Sequence, residues 1–174
     1  MDNIGWVYGE TEFYNGVKWK MISEYVDGDQ VMVYDENLHQ VKFETPIQYN
    51  IADCEKFWKF WGQNFCECVS EDSCVSDRDG SKYESLAFLL SNPLYKQWYE
   101  RYKDDVSHWA LRTKLSFKDG KLAEKRVDEP YNPANKKMIF VKNGKKYNFV
   151  TSTGFFVTRI GQKVTISLGE KYAK

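Results

Sequence analysis

The sequence predicts a mostly β protein: a curved array of antiparallel strands and hairpins that carries one small helical insertion. Short apolar or alternating segments recur along the 174 residues, with turns rich in glycine, asparagine and aspartate between them. Aromatic residues make up 17% of the chain, and such side chains favour strands and cores. Because a chain of this length is most simply one domain, residues 1–174 are predicted to form one, with an insertion at 84–136.

Two pairs of strands are predicted in the N-terminal part. Asn15-Gly16 separates two aromatic segments and favours a tight type I′ hairpin turn, because both positions tolerate positive φ. Residues 31–34 and the alternating segment 40–44 form the second pair, joined by a polar turn. Pro46 then predicts a bend or a sheet edge, since proline cannot donate to a strand ladder.

The C-terminal third has the pattern of two successive hairpins. Each contains a short turn dipeptide between apolar strands: Asn143-Gly144 between residues 138–141 and 147–150, and Gly161-Gln162 between residues 155–158 and 164–166. We therefore expect each dipeptide to join two strands that pair with each other.

The middle of the chain is more varied. Strands are predicted at 56–61, 65–70, 73–77 and 106–117, with Asp79-Gly80 and Asp119-Gly120 as turns. Residues 84–104 favour two short helices, since Glu84 begins a run of helix formers and Asn92-Pro93 can start a second helix. Residues 118–137 are polar and contain two prolines, which predicts a loop.

Charge and hydropathy narrow the classes of partner. Lys plus Arg and Asp plus Glu both number 25, so no net charge attracts nucleic acid or an anionic membrane. The longest apolar run, Leu86-Ala87-Phe88-Leu89-Leu90, is far shorter than the roughly 20 residues of a membrane helix. The N-terminus has no basic segment followed by an apolar stretch. We expect a soluble cytoplasmic protein with no membrane partner.

Cysteine and histidine offer no strong catalytic or metal pattern. The four cysteines, Cys54, Cys66, Cys68 and Cys74, lie close together in the sequence, and without a secretion signal they are expected to be reduced. They could supply four zinc ligands, but no Cys-x-x-Cys knuckle is present, so buried structural thiols are favoured and no cofactor is predicted. His39 and His108 pair with no nucleophile in the sequence.

Two regions are candidates for partner binding. Tyr95, Trp98, Tyr99 and Tyr102 concentrate aromatic surface on the predicted helices, and such residues are enriched at protein interfaces. Core packing of Trp98 is the alternative. Residues 114–137 are rich in lysine and could contact nucleic acid, although acidic residues interrupt the stretch and a solvated surface is favoured. A protein is the expected partner.

Segments at both ends of the chain resemble a known family. They are Trp6-Val7-Tyr8-Gly9-Glu10-Thr11-Glu12-Phe13 followed by Gly28-Asp29-Gln30-Val31-Met32-Val33-Tyr34-Asp35, and Lys146-Tyr147-Asn148-Phe149-Val150 with the strands up to Gly169. The two N-terminal segments resemble the N-terminal splicing block of inteins and of the related Hedgehog/intein (Hint) domains, particularly phage-type inteins. The segment from Lys146 to Gly169 resembles the C-terminal blocks of the same family. The resemblance implies a horseshoe of curved strands in which Trp6 and Gly169 meet at the centre.

The same resemblance implies that splicing is lost. Trp6 stands where the family has its thiol or hydroxyl nucleophile, and an indole cannot perform an acyl shift. Ser70 and Ser73 replace a Thr-x-x-His element, Asn148 stands where many members have Asp or Cys, and Leu168-Gly169 replaces the terminal His-Asn pair. The resemblance therefore implies a splicing-inactive protein, retained as a binding or structural module and encoded by a phage.

A DNA-acting protein is the alternative interpretation. In this hypothesis the chain is related to homing endonucleases and has a metal-dependent site in its insertion. The candidate groups are Asp79, Lys82 and Glu84, or Asp128, Glu129 and Lys136. Such sets of acids and a lysine also arise by chance in a charged chain, so the splicing-inactive interpretation is favoured.

Overall fold

The computed structural model describes residues 4–35, 37–38, 40–63, 65–76, 83–85, 111–118, 121–128 and 136–173, together with residue 97. The described part is almost entirely antiparallel β structure, which confirms the predicted fold class. No helix in these ranges is long and apolar enough to cross a membrane. The division into one domain with an insertion at 84–136 stays a prediction.

The described residues between 4 and 76 form nine short strands and one turn of 3-10 helix at Ile22–Glu24. The strands are β1 (Val7–Tyr8), β2 (Glu12–Tyr14), β3 (Trp19–Met21), β4 (Val31–Asp35), β5 (Gln40–Glu44), β6 (Gln48–Asp53), β7 (Lys56–Trp61), β8 (Cys66–Ser70) and β9 (Cys74–Ser76).

The second half adds eight strands in the described ranges. They are β10 (Tyr83–Ser85), β11 (Leu111–Lys118), β12 (Lys121–Asp128), β13 (Lys136–Phe140), β14 (Lys145–Thr151), β15 (Phe155–Ile160), β16 (Lys163–Leu168) and β17 (Glu170–Lys171).

Two large sheets contain nearly all of these strands. The first has the order β13-β7-β8-β1-β14-β17, and β6 also pairs with β14. The second has the order β12-β11-β16-β15-β2-β3, with β4 paired to β15 and β5 to β4. Pairing is antiparallel throughout except between β14 and β17. The short hairpin of β9 and β10 stands apart from both sheets.

The core lies where the two sheets pack together. Phe149 of β14 is fully buried, and its ring meets Phe13 of β2 and Phe156 of β15 edge-on, with centroids 5.3 and 5.2 Å apart. Val7, Val31 and other buried apolar residues complete this cluster. Each Å² of apolar surface removed from water contributes about 25 cal/mol to stability, so this buried cluster is a major source of the stability of the fold. Because β14 and β1 belong to it, the core fixes the strands that carry the two resembling ends.

Several sequence predictions are confirmed at the level of strand pairing. The pair β4 and β5, the strand β7, and the hairpin of β15 and β16 around Gly161 all form as expected. Gly161 has φ +62, a conformation in which glycine is favoured. Pro46 lies where the chain leaves the second sheet after β5 and enters the first at β6, a strand that the sequence analysis did not identify.

The predicted turn at Asn15-Gly16 joins β2 to β3, but it is not type I′. Only Gly16 has positive φ, at +96°, and the connection spans four residues, because the Asn15 backbone N–H donates to the Lys18 carbonyl at 3.1 Å. The Asn15 side-chain oxygen accepts the N–H groups of Val17 and Lys18, both at 2.9 Å. The asparagine therefore stabilises the wider turn through its side chain rather than through its backbone angles.

The predicted hairpin around Asn143-Gly144 is wrong. Strand β13 pairs along its whole length with β7, whereas β14 pairs with β1 and β6. The dipeptide still makes a tight turn, in which Asn143 has φ +56 and the Gly144 N–H donates to the Val141 carbonyl at 3.0 Å. A local turn sets the direction of the chain, but burial in the first sheet decides which strands pair.

The prediction for the insertion is partly wrong. Glu84 and Ser85 belong to β10, which pairs with β9, so no helix begins at Glu84. The rest of the predicted helices lies outside the described residues, except residue 97, which is helical. The predicted loop at 118–137 contains β12, which pairs with β11 from Lys118–Lys121 outward. Its polar alternation is that of a strand in a two-stranded extension, and the two prolines lie outside the described residues.

Candidate functional site

The two ends of the described chain meet beside β1. This strand lies between β8 and β14, where Val7 is opposite both Val69 and Tyr147. The segment before it, Ile4-Gly5-Trp6, reaches the C-terminal segment, and the Gly5 N–H donates to the Gly169 carbonyl at 3.0 Å. The expected meeting of the Trp6 and Gly169 regions is therefore present.

The Gly5–Trp6 peptide bond is hydrogen-bonded on both of its sides. The Asn148 side-chain amide donates to the Gly5 carbonyl at 3.2 Å, and the Trp6 N–H donates to the Ser73 hydroxyl oxygen at 2.8 Å. The Ser73 hydroxyl in turn donates to the Trp6 carbonyl at 2.9 Å. We call Ser73, Asn148 and Gly169 the clasp, because Ser73 and Asn148 hold this peptide bond and the Gly169 carbonyl accepts the Gly5 N–H of the preceding one.

Ser70 and Ser73 are placed by the end of β8. The chain turns at Glu71-Asp72, and the Ser73 N–H donates to the Ser70 carbonyl at 3.1 Å before β9 begins. Both serines are buried, and their hydroxyl oxygens lie 3.1 Å apart. The Ser70 hydroxyl donates to the Asp72 carboxylate, and the Ser70 N–H donates to the Trp6 carbonyl at 3.3 Å. The two serines thus form the side of the clasp that contacts Trp6.

A buried lysine covers the Trp6 ring. Lys146 of β14 places its Nζ 4.5 Å from the centroid of the indole and 2.5 Å from the Asp72 carboxylate. Burial raises the pKa of the Asp72 carboxyl, but hydrogen bonds from Lys146 and Ser70 and the charge of Lys146 outweigh it, so the pKa lies below its ordinary value. Asp72 therefore stays ionised at neutral pH and balances the lysine.

Asn148 has its orientation fixed by a neighbour on β6. It is fully buried and lies opposite Asn50, whose amide donates to the Asn148 side-chain oxygen at 3.0 Å. With its oxygen engaged by Asn50, the amide nitrogen of Asn148 points at the Gly5 carbonyl. Asn50, Asp72 and Lys146 were missed as site residues by the sequence analysis, because only the pairing of β6 with β14 and the turn after β8 bring them to the site.

Two glycines allow the chain ends to come this close. A Cβ on Gly5 would lie 2.2 Å from the Leu168 carbonyl oxygen, and a Cβ on Gly169 would lie 2.6 Å from the Phe149 carbonyl oxygen. Both obstacles are backbone atoms, which cannot give way as a flexible side chain can. Glycine is therefore required at both positions for the Gly5–Gly169 hydrogen bond.

The described residues around the Gly5–Trp6 bond can polarise it, and the hydroxyls of Ser70 and Ser73 beside it are both engaged in hydrogen bonds. Hydrogen bonds to a carbonyl oxygen and from its N–H are the contacts that stabilise charge in acyl transfer. Ser73, however, accepts the Trp6 N–H and therefore lies beside the nitrogen rather than over the Gly5 carbonyl carbon. Trp6 itself carries an indole, and Leu168-Gly169 offers neither an imidazole nor a cyclising amide.

The cysteines are buried in the sheets. Cys66, Cys68 and Cys74 are buried, Cys54 is half-buried, and all four are free thiols. Burial raises the pKa of the Cys68 thiol to about 12, so it is protonated and unreactive at neutral pH. Within the part of the chain that the structure describes, no three Cys, His, Asp or Glu side chains gather to hold a metal.

The other sequence-predicted groups are not brought to this site by the described structure. Tyr95, Trp98, Tyr99 and Tyr102 lie outside the described residues, as do His39, His108, Asp79, Lys82 and Glu129. Glu84 and Asp128 are described in their backbone only, in β10 and β12. The partner surface and the metal-dependent alternative therefore stay predictions.

The fold and the meeting of its two ends at the clasp define the class of protein: the chain has an intein-like Hint fold. It is similar to a solved splice-inactive, GSH-linked variant of the AceL NrdHF class 3 split intein, with a TM-score of 0.66 and 14% identity over 95% of this chain and 98% of that one.

Two further solved structures show the same likeness. One is a bacterial intein-like domain from Clostridium thermocellum, with a TM-score of 0.55 and 13% identity over 95% of this chain and 99% of that chain. The other is the DnaX mini-intein from Spirulina platensis, with a TM-score of 0.54 and 10% identity over the same shares. No protein-family model and no curated protein matches the chain. At these identities the likeness establishes the fold.

Proposed function

We propose that this chain is a Hint-fold protein that does not splice and that serves as a binding or structural module. One observation carries the proposal: the Gly5–Trp6 bond is held by hydrogen bonds at its oxygen and at its nitrogen, while the residue after the bond carries an indole. Protein splicing requires a thiol or hydroxyl that adds to the polarised carbonyl. A clasp without that nucleophile holds the peptide bond without breaking it.

The contacts of Trp6 support a holding role. Its backbone N–H and carbonyl both contact Ser73, and its ring lies under the Lys146 ammonium, which is itself paired with Asp72. A cation over an indole face is attracted by the ring quadrupole, most strongly when water is excluded. The Trp6 side chain therefore adds a contact that holds the segment, at the position where splicing would require a nucleophile.

The proposal includes the source and setting of the protein. The resemblance to phage-type inteins supports a phage-encoded protein acting in the host cytoplasm, and the aromatic residues of the insertion support a protein partner. Neither bears on the chemistry of the clasp, so the experiment below tests the chemistry alone.

A double fusion tests whether the bond is cut. The full chain is expressed with a folded protein attached before Met1 and another after Lys174, and the purified product is weighed by intact mass spectrometry after long incubation. The expected result is a single mass equal to the uncut fusion, with or without added thiol. A ligated product of the two flanking proteins, or cleavage before Trp6, would refute the proposal.

A further inference from the structure

The segment Ile4-Gly5-Trp6 is bound as a peptide ligand is bound. Cys74 donates its backbone N–H to the Ile4 carbonyl at 2.9 Å, Gly5 donates to Gly169, and both backbone groups of Trp6 contact Ser73. Each of the three residues is thus held through its main chain, and the segment as a whole lies between residues 70–74 on one side and Asn148 and Gly169 on the other. Main-chain hydrogen bonds of this kind give affinity for an extended strand, and side-chain subsites give specificity.

The middle subsite accepts only glycine. The Leu168 carbonyl oxygen and carbon would lie 2.2 and 2.8 Å from a Cβ on Gly5, closer than a side-chain carbon can approach. Any other residue must push the C-terminal segment away and so lose the hydrogen bond to Gly169. Selectivity at this subsite is therefore steric and comes from the backbone.

The next subsite favours an aromatic ring. The Lys146 Nζ lies 4.5 Å from the Trp6 ring centroid and is held there by Asp72. An aliphatic side chain in the same place would lose the cation–π attraction and leave the ammonium over an apolar surface. The subsite of Ile4, by contrast, is defined by a single main-chain hydrogen bond.

We infer that the clasp is a recognition site for an extended peptide segment in which glycine precedes an aromatic residue, and that Ile4-Gly5-Trp6 occupies it in cis. This inference rests on the proposed function, since it requires that the bond be held rather than cut. A segment of the same pattern from a partner protein competes with the chain's own segment for the same hydrogen bonds.

The test empties the clasp and fills it again. In the full chain carrying Gly5→Ala, the chain's own segment no longer fits beside Leu168. A fluorescently labelled peptide of residues 2–6, Asp-Asn-Ile-Gly-Trp-amide, is then titrated with the variant and followed by anisotropy. We expect the peptide to bind the variant saturably and not to bind the wild-type chain, whose clasp is occupied.

Matched reagents make the result specific. Gly161→Ala alters the turn glycine of the β15–β16 hairpin, at the opposite end of that hairpin from Leu168, and is expected not to bind the peptide. A peptide with alanine in place of glycine is expected to bind neither chain, and one with leucine in place of tryptophan is expected to bind the Gly5→Ala chain several-fold more weakly. A folded Gly5→Ala chain that fails to bind the glycine peptide, or binds the alanine peptide equally, overturns the inference.

Misfolding of the variant does not leave the question open. If Gly5→Ala is unfolded alone, the glycine peptide added during refolding is expected to restore the native tryptophan fluorescence, and the alanine peptide is not. Rescue by both peptides or by neither overturns the inference. Intact mass is recorded in every sample, so that cleavage before Trp6, which defeats the proposed function, is distinguished from a failure to bind.

Discussion

The pair of amides Asn50 and Asn148 offers the sharpest test of the clasp. Replacing Asn148 by leucine keeps a similar volume but removes both of its hydrogen bonds. The buried Gly5 carbonyl then loses its side-chain partner, at about 1–3 kcal/mol for an unsatisfied group, while the half-buried Asn50 amide keeps the Glu170 carboxylate as an acceptor at 3.4 Å. The free energy of unfolding of Asn148→Leu is therefore expected to fall by about 1–3 kcal/mol.

A double-mutant cycle separates this effect from simple repacking. Asn50→Leu alone leaves the Asn148 oxygen without its donor and is expected to cost about 1–3 kcal/mol. The double variant also leaves the Gly5 carbonyl unsatisfied and is expected to cost about 1–3 kcal/mol, the same as Asn148→Leu alone. The two substitutions are thus expected to be strongly non-additive.

Urea unfolding followed by tryptophan fluorescence measures all three variants. Gln48 is an exposed residue on β6, the strand of Asn50, and provides the control. Gln48→Leu is expected to change the free energy of unfolding by less than about 0.5 kcal/mol. The reasoning fails if Asn148→Leu is as stable as the wild type, or if the losses of the two single variants add up in the double variant.

Three further predictions follow from the same region. Trp6→Cys is expected to place a thiol beside a bond that the clasp still polarises, so a fusion attached before Met1 should be released by hydroxylamine while Trp6→Ala stays intact; equal release from both, or from neither, contradicts this. Thr11 has a buried hydroxyl with no hydrogen-bond partner among the described residues. Thr11→Val is therefore expected to raise the free energy of unfolding by about 1 kcal/mol, read from the urea midpoint, whereas a lower midpoint would show that the hydroxyl has a partner. The fold lowers the pKa of the Asp72 carboxyl, so its stabilisation is complete above the unfolded value of about 3.9 and disappears as the pH falls through the lower folded value. As the pH falls below about 4, the wild type should lose more stability in urea titrations than Asp72→Asn, and parallel losses would contradict the assignment.

The sequence alone allowed some of the strands, and the turns that contain glycine, to be predicted. Residues 56–61 and the hairpin around Gly161 could be predicted because residue preferences for strands and turn chemistry are local properties. The pairing of β13 with β7 could not, since nothing within residues 138–150 records that a distant strand will compete for the same edge. Strand β6 was missed because its residues 48–53 are mostly polar or half-exposed, without a clear apolar period.

The candidate site likewise contains residues that could be predicted from the sequence and residues that could not. The resemblance pointed to Trp6, Ser73, Asn148 and Gly169, and the structure brings these four together. Asn50 could not be predicted, because its role depends on lying opposite Asn148 across a strand pair that joins positions far apart in sequence. Lys146 lies in the C-terminal segment that resembles the family, but only the three-dimensional structure shows its ammonium above the indole.

Strand β14 ties the clasp to the core through the alternation of its side chains. Tyr147 and Phe149 face the apolar cluster, while Lys146 and Asn148 face the chain ends. A shift of this strand by one residue would bring a phenyl ring to the Gly5 carbonyl and push an amide and an ammonium among hydrocarbon side chains. Insertions or deletions within residues 145–151 are therefore expected to disrupt the clasp and the folded state together, whereas exchange of a side chain can alter one without the other.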